Sequence, residues 1–246
     1  MAQDEKKIKN ISEGQNVSGL SVFIPLYNEA EILAKNVRVL LQYLDRLGLS
    51  FEVILGSNGS TDRTPQVGRS LQQTHGRVTF FHLALRGPGL AFAEALKRAT
   101  YSSFFCMDAD LSFDMDFIRR ATEALGNYDA VVGSKQMATQ KRPLLRILAS
   151  ELFIACTKRL LQMPFCDYSI GAKAYRTGVI RPYINRVDRH TFYTQELLYQ
   201  LQRSGRKIIE IPVDCDDRRK SKFNLVHEGF YRYGKLFKLW GRSLKE

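Results

Sequence analysis

Ser103-Phe104-Phe105-Cys106-Met107-Asp108-Ala109-Asp110-Leu111-Ser112 is the segment on which this chain's architecture turns. Ser103 to Met107 is a short apolar run of strand length, bounded by the polar residues that follow it. A buried strand that ends in Asp-x-Asp delivers two carboxylates to the carboxyl edge of its sheet, where open α/β sheets bind their ligands. Residues i and i+2 of an extended chain point to the same side, so Asp108 and Asp110 can converge on one cation. Hard oxygen donors of this kind suit Mg²⁺ or Mn²⁺, which commonly also takes oxygens from a substrate's phosphates.

Working outward, the segment falls within an alternation of strands and helices. Leu20 to Pro25 reads as a strand and Glu29 to Leu47 as a helix, with apolar residues at Ile32, Leu33, Val37, Leu40, Leu41 and Leu44. Phe51 to Leu55 and Val78 to Leu83 read as strands, separated by a helix ending near Gln73. Pro88 to Thr100 is the next helix, and Asp114 to Leu125 another before a fifth strand at Ala130 to Gly133. This order with short loops predicts an α/β fold: a mostly parallel sheet with helices on both faces. The second half reads differently. A long helix (Pro143 to Met163) leads to a Gly-containing stretch (Ser169 to Arg176), a helix (Tyr193 to Arg203) and a strand (Lys207 to Val213). No Pro/Gly/Ser-rich linker divides the chain, so it reads as one domain, residues 19–225, with a nucleotide half and an acceptor half. A polar tail (residues 1–18) precedes it and a basic amphipathic helix (residues 226–246) follows.

The chain has 246 residues, 37 basic against 25 acidic, for a formal net charge of +12. Such a surplus favours anionic partners: nucleic acid, an anionic membrane surface or phosphorylated substrates. A nucleic-acid binder predicts a basic face with interleaved aromatics and has no need of acidic pairs at strand ends, so that class is disfavoured. Cys106, Cys156, Cys166 and Cys215 form no Cys-x-x-Cys pair. Free thiols in a reducing cytosol are expected of them, without a disulfide framework. Met1 to Ser18 lacks the apolar core of a secretory signal. Leu144 to Met163 is interrupted by Arg146, Glu151, Lys158 and Arg159, which favours an amphipathic helix over a membrane span.

Two other strand ends carry polar signals. Ile24-Pro25-Leu26-Tyr27-Asn28-Glu29 ends the first strand, with Pro25 stopping the pairing and Asn28 placed to cap the helix. Ser57-Asn58-Gly59-Ser60-Thr61-Asp62 ends the second, with Asp62 near a helix amino end. Turns and caps account for most of these residues, but not for Tyr27, an aromatic at a strand's carboxyl edge.

Together Tyr-Asn-Glu, Asn-Gly-Ser-Thr-Asp and Asp-Ala-Asp-Leu-Ser resemble the nucleotide-sugar half of an inverting family 2 glycosyltransferase with the GT-A fold. Dolichyl- or polyprenyl-phosphate sugar synthases are the closer likeness. Val132-Gly133-Ser134-Lys135 is similar to their Val-Gly-Ser-Arg, Asp167 to Arg176 to their Asp-x-x-Ser-Gly-Phe-Arg segment, and Ile211-Pro212-Val213 with Arg218 to Phe223 to their Val-Pro-Val … Arg-Arg … Ser-Lys-Leu loop. The resemblance implies that Pro25, Tyr27 and Glu29 line the base pocket and that Leu55 and Ser57 face base or ribose. Asp108 and Asp110 would hold Mg²⁺ or Mn²⁺ on the diphosphate, with Ala109 close to the donor. Lys135 would contact phosphate, and Arg176, Arg218 and Lys222 would clamp phosphates from the second half. Asp110 and Arg218 would be catalytic, with Lys135, Arg142 and Arg218 receiving an acceptor phosphate. The chain departs from the pattern at Ser57-Asn58, where the family usually has Asp-Asp, and at Ala172, where Phe is usual.

These implications amount to a metal-dependent transferase that moves a hexose from a GDP- or UDP-sugar to polyprenyl phosphate at the cytoplasmic membrane face. A sugar hydroxyl acceptor would require a general base, for which Asp167 and Glu196 are the candidates. A phosphate monoester, with a second pKa of about 6, is already largely dianionic and needs cations instead. Phe230, Tyr233, Leu236, Phe237, Trp240 and Leu244 recur at helical spacing among Arg232, Lys235, Lys238, Arg242 and Lys245. That helix is suited either to a peripheral membrane surface or to docking on the domain's own core.

Overall fold

The computed structural model describes residues 17–137, 144–215 and 225–245. Seven strands form one sheet: β1 (Val17–Leu26), β2 (Phe51–Asn58), β3 (Val78–Leu83), β4 (Tyr101–Cys106), β5 (Ala130–Ser134), β6 (Lys173–Arg176) and β7 (Ile208–Pro212). The spatial order is β3-β2-β1-β4-β6-β5-β7. β6 runs antiparallel to both its neighbours, β4 and β5, while the pairs β1–β2, β1–β4, β2–β3 and β5–β7 are parallel. The helices are α1 (Ala30–Arg46), α2 (Thr64–Thr74), α3 (Pro88–Arg98), α4 (Asp116–Ala124), α5 (Leu144–Leu161), α6 (Thr177–Ile180), α7 (Tyr193–Arg203) and α8 (Leu225–Ser243).

The pleat divides the apolar residues between two layers. On β1, Leu20, Val22, Ile24 and Leu26 face one side with Leu33, Val37, Leu40 and Leu44 of α1, Leu71 of α2 and Phe117 of α4. Phe23 faces the other, with Phe92 of α3, Phe153 of α5, Leu197 of α7, and Leu236 and Leu239 of α8. Helices therefore cover both faces, which is why the strands read as near-continuous apolar runs. Burying each large side chain contributes about 1.5–3 kcal/mol, and the five buried apolar positions of α1 anchor the first layer.

The inner side of α8 answers the choice left open by its sequence. Leu236 and Leu239 are fully inside, and Tyr231, Tyr233 and Trp240 pack at the same core, while Phe230, Phe237 and Leu244 face outward. The helix docks on the domain and keeps a second apolar stripe outside. Among the described residues no helix is long and apolar enough to cross a membrane. All four cysteines are free thiols.

Ser169 to Arg176, read from sequence as a Gly-containing stretch without a strand, contains β6. Its residues Lys173, Ala174 and Tyr175 are all buried, so they show no period-two alternation. β1 also starts at Val17, inside the span read as tail.

Candidate active site

The carboxyl ends of β1, β2 and β4 bring their three loops together. Asn28 does not cap α1: its backbone is left-handed (φ 54°), and its Oδ1 accepts from Thr61 N (2.8 Å) and Asp62 N (3.3 Å). The caps come from the neighbouring loop instead. Asp62 Oδ2 accepts from Ala30 N at the start of α1 (3.2 Å), while its Oδ1 accepts from Thr64 N at the start of α2 (2.9 Å). One carboxylate thus satisfies orphan donors of two helices and sits at the positive end of both. Thr64 Oγ1 accepts from Glu29 N (2.7 Å), completing the lacing of the two loops.

Within this frame Tyr27 stacks under the Arg86 guanidinium, 3.8 Å from the ring centre. Ser57 is fully buried. Its Oγ donates to Ser60 Oγ (3.0 Å) and lies 3.0 Å from His82 Nδ1, on the adjoining strand. Asn58, also buried, donates from Nδ2 to Leu26 O and accepts Gly87 N on Oδ1, tying β1 to the loop before α3. Where a carboxylate pair stands in the resembling enzymes, this chain has a hydroxyl–imidazole contact and a structural amide. Leu55 packs in the core with α1 and is fully buried, so its side chain does not open toward a base or ribose. Pro25 pairs with Gly56 at the strand end, beside these groups.

The acid pair follows β4. Asp108 is half-buried and accepts Gly171 N on Oδ2 (3.1 Å), while Asp110 Oδ1 accepts Ser112 N (3.1 Å) and Leu111 is held left-handed (φ 51°). Ala109 O accepts Asn36 Nδ2 from α1 (2.9 Å). Burial first, and then the charge of Asp110, push the Asp108 carboxyl up to about 6. A cation held between the two carboxylates would offset the Asp110 charge that raises Asp108. The described residues contain no group of three or more His, Cys, Asp or Glu side chains able to hold a metal. Asp108 and Asp110 would therefore share Mg²⁺ or Mn²⁺ with the donor's phosphates and water.

Cations back this edge. Lys135, just past β5, lies 3.5 Å from Asp167 Oδ2 and donates to Ser169 Oγ (3.4 Å). Burial would raise the Asp167 carboxyl, but Lys135, Lys173 and the backbone N–H groups of Ser169 and Ile170 outweigh it and hold it below its ordinary value. Glu210 of β7 accepts Cys166 N (2.7 Å) and Asp167 N (3.1 Å), fixing the loop from below.

Two findings in this loop differ from the sequence reading, and both follow from the reversed direction of β6. Arg176, expected to clamp phosphates, pairs in register with Ser103 at the opposite, amino edge of β4. There its guanidinium caps the end of α4, donating to Leu125 O (2.7 Å) and Gly126 O (2.8 Å). Lys173 stands opposite Cys106 instead, three residues or about 10 Å nearer the acid pair. It is buried, donates to Ile170 O, and feels Asp167 and Asp108. Its burial pulls the ammonium down to about 8. Lys173 was missed because no local signal separates an antiparallel strand from a loop here. Gly171 was quoted only as part of a motif, yet a Cβ there would meet Asp108 Cγ at 2.4 Å. The expected contributors Arg142, Arg218 and Lys222 lie outside the described residues.

Residues 21–184 match the glycosyl transferase family 2 model. Glycosyltransferase AglD of Haloferax volcanii is 29% identical over 229 residues, which are 90% of this chain and 37% of that protein. The undecaprenyl-phosphate 4-deoxy-4-formamido-L-arabinose transferase of Edwardsiella ictaluri is 28% identical over 220 residues, 88% of this chain and 66% of that one. The chain thus spans about a third to two thirds of the length of these relatives. Among solved structures, mannosyl-3-phosphoglycerate synthase from Rubrobacter xylanophilus superposes with a TM-score of 0.71 at 13% identity, covering 99% of this chain and 78% of that one. Glucosyl-3-phosphoglycerate synthase from Mycobacterium tuberculosis, in complex with uridine diphosphate, gives 0.68 at 15%, covering 91% and 80%. The structural likenesses establish the GT-A fold. With the family model covering most of the sheet and its strand-end loops, the chain belongs to glycosyl transferase family 2.

Proposed function

We propose that this chain transfers a hexose from a nucleoside-diphosphate sugar to a polyprenyl monophosphate, with inversion at the anomeric carbon. The observation that carries the acceptor class is that both candidate bases are already committed. Asp167 accepts Ser169 N (2.8 Å), Ile170 N (3.2 Å) and Lys135 N (3.4 Å) and faces the Lys135 ammonium. A carboxylate held below its ordinary pKa in this way is a poor proton acceptor. Glu196 Oε1 is bound by Arg242 Nη2 at 2.7 Å. A hydroxyl nucleophile would find no prepared base there, whereas a phosphate dianion needs none. The name of one sequence relative, an undecaprenyl-phosphate 4-deoxy-4-formamido-L-arabinose transferase, supports the same reading.

In the reaction an acceptor phosphate oxygen forms a bond to the anomeric carbon as the carbon–oxygen bond to the diphosphate breaks. The nucleoside diphosphate departs with the electron pair from the opposite face. Asp108 and Asp110 would hold a divalent cation, which would supply charge neutralisation for the leaving group. Tyr27, Arg86 and His82 receive the nucleoside, with buried Ser57 behind them, 3.0 Å from His82 Nδ1. Lys135 and Lys173 keep the acid pair and the Asp167 loop in place. Arg142, Arg218 and Lys222 retain their expected roles toward the phosphates, with Arg218 aiding departure.

Membrane contact is part of this reading. Phe230 (80% exposed) and Phe237 on α8 lie outward, with Leu244 just past the helix end, as do Leu148 and Leu152 (each 62%) on α5. The two helices touch through Phe153 and Tyr233, whose ring centres are 5.3 Å apart. Lys238, Arg242 and Lys245 accompany the stripe, the composition expected of a peripheral helix on anionic lipid at the cytoplasmic face.

The test is a panel of UDP- and GDP-sugars incubated with extracted polyprenyl phosphate and Mn²⁺ or Mg²⁺. Labelled sugar in the organic phase is expected with one donor, and Asp110→Ala should abolish it. Label found only on a water-soluble glycan would overturn the lipid acceptor.

A further inference from the structure

Strands β1, β2 and β3 end in one row, with Leu26 beside Ser57 and Ser57 beside His82. Ser57 is fully buried there, and His82 is exposed beyond it. A short run of hydrogen bonds crosses the row. Asn28 N donates to Ser60 Oγ (3.1 Å), Ser57 Oγ donates to the same oxygen (3.0 Å), and His82 Nδ1 lies 3.0 Å from Ser57 Oγ. The run is anchored beside the Tyr27–Arg86 stack at two points. Asn28 follows Tyr27 directly, and Gly59 passes so close to Arg86 that a Cβ on it would lie 2.8 Å from Arg86 N.

Counting hydrogens fixes the polarity of this run. A serine hydroxyl has one hydrogen, and that of Ser57 goes to Ser60. The hydrogen between Ser57 and His82 therefore belongs to Nδ1, and Ser57 Oγ accepts it. A neutral imidazole carries one N–H, so a ring that spends it at Nδ1 keeps a lone pair at Nε2. The two ring nitrogens point apart. With Nδ1 turned to a buried hydroxyl, Nε2 is presented on the exposed side of the row. Among the described residues, nothing else hydrogen-bonds to this ring.

We propose that His82 selects the base of the donor nucleotide: the neutral ring, with its hydrogen on Nδ1, accepts at Nε2 the ring N–H of a uracil or guanine lying at the Tyr27–Arg86 stack. Uracil N3 and guanine N1 each carry a hydrogen on the edge used for base pairing. Cytosine N3 and adenine N1 carry lone pairs there, which would meet the lone pair of Nε2. One contact therefore attracts the first class and repels the second. The proposal rests on the nucleotide-donor reading above and narrows it to the bases that offer this hydrogen.

The test titrates UDP, GDP, CDP and ADP calorimetrically into the full chain with Mn²⁺, together with the N-methyl form of the preferred nucleotide (N3-methyl-UDP or N1-methyl-GDP). The diphosphate is common to all the probes, so differences between them report the base. UDP or GDP is expected to bind about 10-fold more tightly than CDP, ADP and the N-methyl form, the difference one hydrogen bond supplies. His82→Phe should erase that discrimination without lowering the melting temperature, since the side chain is exposed. His82→Gln should restore it, because a glutamine amide oxygen reaches the position of Nε2. Tighter binding of CDP or ADP, indifference of the wild type to the N-methyl group, or discrimination that survives in His82→Phe overturns the proposal and leaves the nucleotide-donor reading standing. A wild type that binds none of the four nucleotides overturns both.

Discussion

Gly171→Ala isolates the geometry of the acid pair with a single methyl group. Gly171 has no left-handed backbone to lose, so alanine brings no conformational penalty of its own. Its Cβ would lie 2.4 Å from Asp108 Cγ, Oδ1 and Oδ2. Restoring ordinary van der Waals separation moves the carboxylate by about 1 Å and strains the 3.1 Å bond from Gly171 N. A reacting group displaced by about 1 Å typically loses about 100-fold in rate. That corresponds to about 2.7 kcal/mol of barrier. Overpacking should lower stability by about 1–3 kcal/mol, leaving the chain folded at 25 °C. The assay is steady-state transfer from the active donor with Mn²⁺ titrated, beside a thermal melt. A lowered melting temperature together with wild-type kcat/KM would refute the placement of Asp108 at the reacting centre.

Arg176→Ala should behave oppositely: loss of the α4 cap is expected to destabilise by about 1–2 kcal/mol, measured by urea denaturation, with kcat/KM unaltered. Asp108→Asn tests the raised carboxyl. The folded state binds that proton more tightly than the unfolded chain, so its contribution to stability is full below pH of about 4 and is lost as pH rises through about 6. Relative to Asp108→Asn in metal-free buffer, wild type should lose about 3 kcal/mol between pH 4 and 7, and parallel stability curves would contradict the shift. Phe230→Ser with Phe237→Ser should reduce partitioning onto anionic vesicles without altering the melt, because both side chains face outward. Deleting residues 229–246 cannot serve that purpose, since it strips Leu236 and Leu239 from the core.

Much of this architecture was legible because the strands end where polarity begins. Met107 to Ser112 announced a strand edge with acid on it, and the spacing of Leu33, Val37, Leu40 and Leu44 announced the helix that buries them. α7 lies where its periodicity put it, Tyr193–Arg203. What escaped was direction and partnership. Lys173 to Arg176 is a four-residue strand buried on both faces, and sequence composition does not encode whether such a strand runs up or down. That one reversal exchanged the roles of Arg176 and Lys173. Asn28 looked like the cap of the helix beside it, but its side chain pairs with the loop of residues 61 and 62, and Asp62 caps α1 as well as its own helix.

The wedge formed by β6 also dictates an order of assembly. β1 to β4 can join as soon as Cys106 has been made, since their pairings involve only earlier segments. β5 is made next but has no place beside β4; it pairs with β6 and β7, and β6 arrives only with Arg176. During synthesis the nascent chain therefore holds a half-sheet with an open margin along β4 for about seventy residues, roughly four to fourteen seconds at common elongation rates. That exposed margin is the point at which chaperones, or a second nascent copy, would compete with the chain's own completion.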